Sequence, residues 1–88
     1  MRAREEALEL AKTLTTESRE QEYGSAFDNF TTISKIWNAA VGWELRVSDV
    51  QLAMDLVKTA RLATNPKHYD SWVDKAGYSA LGAELVSE

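Results

Sequence analysis

The sequence predicts an all-α domain of four helices. Three observations carry that expectation. Apolar residues recur at helical spacing in four separate stretches. Start and stop signals fall between them: Gly24-Ser25, Gly42 with Ser48, and Asn65-Pro66. The one alternating run, WELRV at 43–47, is five residues long with no partner segment, too little for a sheet.

The first helix is expected over residues 2–14. Ala3, Ala7, Leu10, Ala11 and Leu14 form its apolar stripe, with Glu5, Glu6 and Glu9 mainly off it. Thr13, Thr15 and Thr16 then weaken the helix, because branching at Cβ costs rotamer freedom there. A polar connector, SREQEYG, ends in Gly24. Ser25 is placed to cap the second helix, with Asp28 in its first turn. Phe27, Phe30, Ile33, Ile36, Trp37, Ala40 and Val41 give this helix the strongest core signal in the chain, and Gly42 ends it. Ser48 and Gln51 read as a capping box for the third helix, whose buried stripe is Val50, Ala53, Met54, Val57 and Ala60. Leu52 and Leu56 widen that stripe, so the third helix is expected to pack on two sides. Asn65-Pro66 stops it. The fourth helix starts near His68 to Asp70 and runs toward Val86. Tyr69, Trp72, Val73, Ala76, Ala80 and Ala83 make one face, and Tyr78, Leu81 and Leu85 a second. Small residues along it, Ala76, Gly77, Ala80, Gly82 and Ala83, permit another helix to come close.

Eighty-eight residues make a single domain, with no cysteine for a disulfide or a thiolate metal site. A small helical chain without staples gains core by self-association, so a homodimer or higher oligomer is expected. Ten basic and 14 acidic residues leave a net charge of −4, which argues against nucleic acid as a partner. No apolar run reaches membrane-spanning length and no signal-peptide pattern opens the chain, so the expected setting is the cytoplasm, away from membranes.

Polar chemistry concentrates in residues 58–78, KTARLATNPKHYDSWVDKAGY. Lys58 and Arg61 sit at the margin of the third helix's buried face. Asp70, Asp74 and Tyr78 share a side of the fourth. A half-buried charge needs a partner, so the carboxylates are expected to face the cations. Two readings stay open. One is an ion-pair network that fixes helix register. The other is a ligand site, with Lys58 and Arg61 on a phosphate, Asp70 and Asp74 holding Mg²⁺, and Tyr78 either stacking on a base or simply packing at an interface. Tyr23, beside Glu22 and Gly24 in the connector, is a further candidate ligand contact. His68 is the sole histidine and has no second His or Cys to share a transition metal. A triad from His68, Asp70 and Ser71 fails, since near neighbours in sequence do not converge in that geometry. There is no phosphate-binding glycine loop and no dinucleotide fingerprint.

Taken in order, QEYG, DNF, the Ile36-Trp37 pair, KTARL, NPKHYDSW and VDKAGY resemble a family of short phage and prophage proteins known as domain of unknown function 6378. The resemblance covers roughly residues 5–85. It implies a phage or prophage origin and an all-helical fold, and no activity. The Tyr-Gly pair, the Lys-x-x-Arg helix and the Asp-bearing helix ending near a Tyr are also similar to MazG-like nucleotide pyrophosphohydrolases. That resemblance implies an oligomeric all-α protein acting on nucleotides with Mg²⁺. Glu6 and Glu9 match the first motif of those enzymes, E-x-x-E, in spacing. Asp70 and Asp74 stand four apart where the second motif has E-x-x-D. The expected function is accordingly binding of a nucleotide or other phosphorylated ligand, with metal-assisted hydrolysis as its extension. The alternative is an interaction module for a host or phage protein, its charged cluster being structural.

Overall fold

A computed structural model describes residues 3–18 and 25–87, with the side chains of all but 17 and 18. Among these residues there are four α-helices and no strand: α1 (Ala3–Thr13), α2 (Ala26–Val41), α3 (Val47–Thr64) and α4 (Tyr69–Leu85). The four-helix expectation holds, within a residue or two at each end. Gly24 and Tyr23 lie outside the described residues.

The threonines after α1 do more than end it. Leu14–Ser18 forms a π-helical turn. Thr15 Oγ1 donates to the Ala11 carbonyl at 2.9 Å and Thr16 Oγ1 to that of Lys12 at 2.6 Å. These hydroxyls bond carbonyls one turn back and so loosen the regular ladder.

Ser25 caps α2 as expected, its Oγ accepting from the Asp28 N–H at 3.1 Å. Gly42 closes the helix at φ 78°, the left-handed conformation glycine adopts without strain. Asn38 then clamps the corner. Its amide donates to the Leu45 carbonyl at 3.1 Å and accepts the Leu45 N–H at 2.9 Å. Trp37 and Trp43 meet edge to face over the same corner, 6.5 Å apart.

The start of α3 differs from expectation. Val47 is already helical, which makes Arg46 the N-cap and Asp49 the third residue. The Asp49 carboxylate accepts the Arg46 backbone N–H at 2.9 Å and the guanidinium at 3.2 Å. Ser48 and Gln51 therefore do not form the capping box. Gln51 is instead buried, and its amide crosses to α4.

Helix α4 is the hub. It runs antiparallel to α3 and alongside α1, while α2 leans chiefly on α3. Tyr69 Oη reaches the Ala3 carbonyl at 3.1 Å, tying the two helix starts together. The small residues of α4 serve contacts within the chain. A Cβ on Gly77 would stand 3.2 Å from the Thr15 methyl, and one on Gly82 would stand 2.7 Å from the Gln51 side chain. Ala80 and Ala83 remain exposed.

The core is narrower than the apolar pattern suggests. Among the described residues its buried hydrophobic side chains are Ala11, Phe30, Val50, Leu62 and Val73. On α2 only Phe30 is buried among the expected apolar face; Phe27, Ile36, Ala40 and Val41 are exposed. A helix supported mainly from one side has room to bury one stripe, and the wide face exceeds it. On α3, Leu52 and Leu56 are also exposed, so that helix packs on α2 and α4 and leaves a third side open.

Candidate functional site

The α3–α4 seam brings together part of the expected cluster. Lys58 Nζ lies 2.8 Å from Asp74 Oδ2, and the two side chains are 13% and 23% exposed. One step along, Lys75 Nζ donates to Asp55 Oδ1 at 2.8 Å and to Thr59 Oγ1 at 2.7 Å. The two pairs run in opposite senses. In one the cation belongs to α3; in the other it belongs to α4. An antiparallel pair of helices carrying Asp55…Lys58 against Asp74-Lys75 matches charges in this register, and a slip would set like against like.

Beyond these pairs Gln51 Nε2 donates to the Tyr78 carbonyl at 2.6 Å. That carbonyl belongs to the α4 backbone. The absent side chain of Gly82, four residues on, leaves the space the Gln51 amide occupies. The seam is thus a row of polar contacts beneath an otherwise apolar packing surface.

Lys58 and Asp74 also line a half-enclosed cavity of about 200 Å³ between α1, its π turn, α2 and α4. Phe30, Val73, Tyr78 and Leu81 form much of its apolar wall, and Thr15, Ser25 and Asn29 add polar atoms. The Phe30 and Tyr78 rings meet at 6.3 Å, tilted by 38°. A planar apolar group with a polar edge suits such a lining. The π turn contributes Leu14 and Thr15, so the irregular backbone lies against the cavity.

The remaining candidates lie elsewhere. Arg61 is exposed and lines an open depression with Val57, Ala60, Thr64, Asn65 and His68, apart from the Lys58 cavity. Asp70 is exposed in a neighbouring depression with Leu10, Thr13 and Asp74. Neither forms an ion pair among the described residues. The expected grouping of both cations with both carboxylates is therefore narrowed to Lys58 and Asp74. Tyr23 is outside the described residues. Glu6 and Glu9 are exposed on α1.

Asp70 and Asp74 do not fit a resident Mg²⁺ as they stand. One Asp74 oxygen is committed to an ammonium 2.8 Å away, and that charge opposes a divalent cation. No group of three or more His, Cys, Asp or Glu side chains gathers among the described residues. His68 has a local partner instead: its Nδ1 lies 2.7 Å from Oγ of the fully buried Ser71.

Asp55, Lys75 and Gln51 were missed at the sequence level. Opposite charges three apart on α3 and adjacent on α4 were a usable signal for the first two. Gln51 was hidden by its match to a capping pattern.

Residues 6–86 match the family described as domain of unknown function (DUF6378). The chain belongs to this family. The DUF6378 match bears out the resemblance seen in the ordered motifs. Among curated proteins, the "Gene 55 protein" of Mycobacterium phage L5 is 37% identical over 75 residues, covering 84% of this chain and 48% of that protein. The "Gene 55 protein" of Mycobacterium phage D29 is 32% identical over 84 residues, covering 96% of this chain and 56% of that protein. The chain spans about half the length of these phage relatives. No solved structure matches it significantly. No helix among the described residues is long and apolar enough to cross a membrane.

Proposed function

We propose that this DUF6378 protein binds a nucleotide or similar small phosphorylated molecule in the cavity beside α4. The observation that carries this reading is the Lys58–Asp74 pair set into an aromatic wall. The Phe30 and Tyr78 rings offer faces to a heterocycle. Lys58 offers the donor to an anionic group, exchanging Asp74 for it. A cavity of about 200 Å³ takes a base or one phosphorylated end, with the rest of the ligand outside. The ligand class in this reading is the one that the motif resemblance to MazG-like proteins implies. Hydrolysis is left out, because one Asp74 oxygen is committed to the Lys58 ammonium, whose charge opposes a divalent cation between Asp70 and Asp74. Binding is therefore expected to persist in a chelator.

A thermal-shift panel of nucleoside mono-, di- and triphosphates tests the reading, with and without Mg²⁺. A ligand at 100 times its dissociation constant adds about 2.7 kcal/mol of stability. One class should shift the wild type and leave Ala26→Phe, whose ring would fill the cavity, unmoved. No shift with any ligand, or a shift that survives Ala26→Phe, would sink the proposal.

The exposed Phe27, Ile36, Val41 and Trp43 favour a second reading, an interaction module for a host or phage protein. It would leave the panel silent while substitutions on α2 abolish capture of that partner.

A further inference from the structure

We propose that α3 seats a second copy of this chain, antiparallel to itself about a twofold axis near residues 57–58. The surface is the stripe Leu52, Leu56, Ala60, Ala63, at intervals of four, four and three residues along one side of α3. All four are exposed, the leucines by 56% and 66%. The stripe carries no charge, because Asp55 and Lys58, the charges at the middle of the helix, are both turned to α4 and paired there.

The stripe is also complementary to itself. Its large residues lie in the N-terminal half and its small ones in the C-terminal half. An antiparallel twofold sets Leu52 opposite Ala63 and Leu56 opposite Ala60 of the other copy. Large side chains then meet small ones at every level, which lets two helices pack closely. A parallel pairing would instead set leucine on leucine and leave a gap between the alanines. An interface built from one patch facing its own copy is the form a twofold dimer requires.

The amount of surface agrees. A folded monomer of 9.9 kDa exposes about 5,200 Å². This chain exposes 6471 Å². The difference is spread over the whole surface, the exposed residues of α2 included, and leaves room for the ~800 Å² each partner contributes to a standard interface. The second copy supplies the apolar cover that α2 and α4 leave missing.

Sedimentation equilibrium on the full chain at micromolar concentration tests this. The wild type should sediment at twice the 9.9-kDa chain mass. Leu56→Glu should sediment as a monomer with unchanged far-UV circular dichroism, since that side chain stands out from its own fold. Orientation is read separately. The chain has no cysteine, so Leu56→Cys and Ala60→Cys chains can be mixed and oxidised in air. Cross-links should form chiefly between unlike chains. A monomeric wild type, a dimer that survives Leu56→Glu, or a preference for cross-links between like chains would each overturn the proposal.

Discussion

Gln51 and Gly82 set two opposed effects against each other at a single point. Alanine is the better helix former by about 1 kcal/mol, so Gly82→Ala should stabilise α4 taken alone. In the folded chain its Cβ would enter the space of the Gln51 amide. Displacing that amide from the Tyr78 carbonyl leaves a buried polar group unsatisfied, at about 1–3 kcal/mol. Gly82→Ala is therefore expected to destabilise the wild type. In a Gln51→Ala background it should stabilise by about 1 kcal/mol. Urea unfolding of the four chains checks the reversal of sign. Asp49 gives a second expectation at this scale. Hydrogen bonds from the Arg46 side chain and then its backbone N–H hold the carboxyl below the usual carboxylate range, against a smaller effect of desolvation. A depressed carboxyl stabilises the fold above its unfolded value and stops doing so as pH falls through the folded one. The first turn of α3 should thus lose protection in acid. Hydrogen exchange there, compared with Asp49→Asn, measures it; equal acid sensitivity in both chains would show that Asp49 is not responsible.

The two reversed ion pairs act on whole helices. Exposed pairs contribute about 0–1 kcal/mol, and breaking fully buried ones costs about 3–5 kcal/mol. Lys58–Asp74, largely shielded yet open on the cavity side, belongs between. Lys58→Met is expected to cost about 2 kcal/mol, and the added Asp74→Leu should recover most of it. If denaturant melts show no recovery, the pair is not the unit that fixes the seam. Sequence reasoning reached this pair because a charge beside an apolar stripe must find a partner. It placed Arg61 and Asp70 with them because spacing gives a side of a helix, and spacing cannot distinguish a seam from the rim a turn away. The helices were legible for a similar reason, since their ends are written in Ser25, Gly42 and Asn65-Pro66. The burial on α2 was not. Apolar periodicity shows which residues could be covered; whether a neighbouring helix is there to cover Phe27 or Ile36 depends on the topology.

At the scale of the molecule, the described residues bury five hydrophobic side chains and leave twelve large ones exposed, so the proposed second copy would add much to a small margin of stability. Its melting temperature should rise with protein concentration, as mass action requires of a dimer, and should cease to do so in Leu56→Glu. Scanning fluorimetry over a dilution series makes the comparison. The same layout divides the optical signals of the protein. All three tryptophans stand at corners: Trp37 and Trp43 meet where α2 turns into α3, and Trp72 donates from its indole to the Pro66 carbonyl where α3 turns into α4. Among the described residues the cavity lining includes Tyr78 and no tryptophan. Indole emission therefore follows the opening of the two corners. A ligand settling in the cavity acts first on a tyrosine, and energy passed from that ring to the indoles would report its arrival while both corners stay shut.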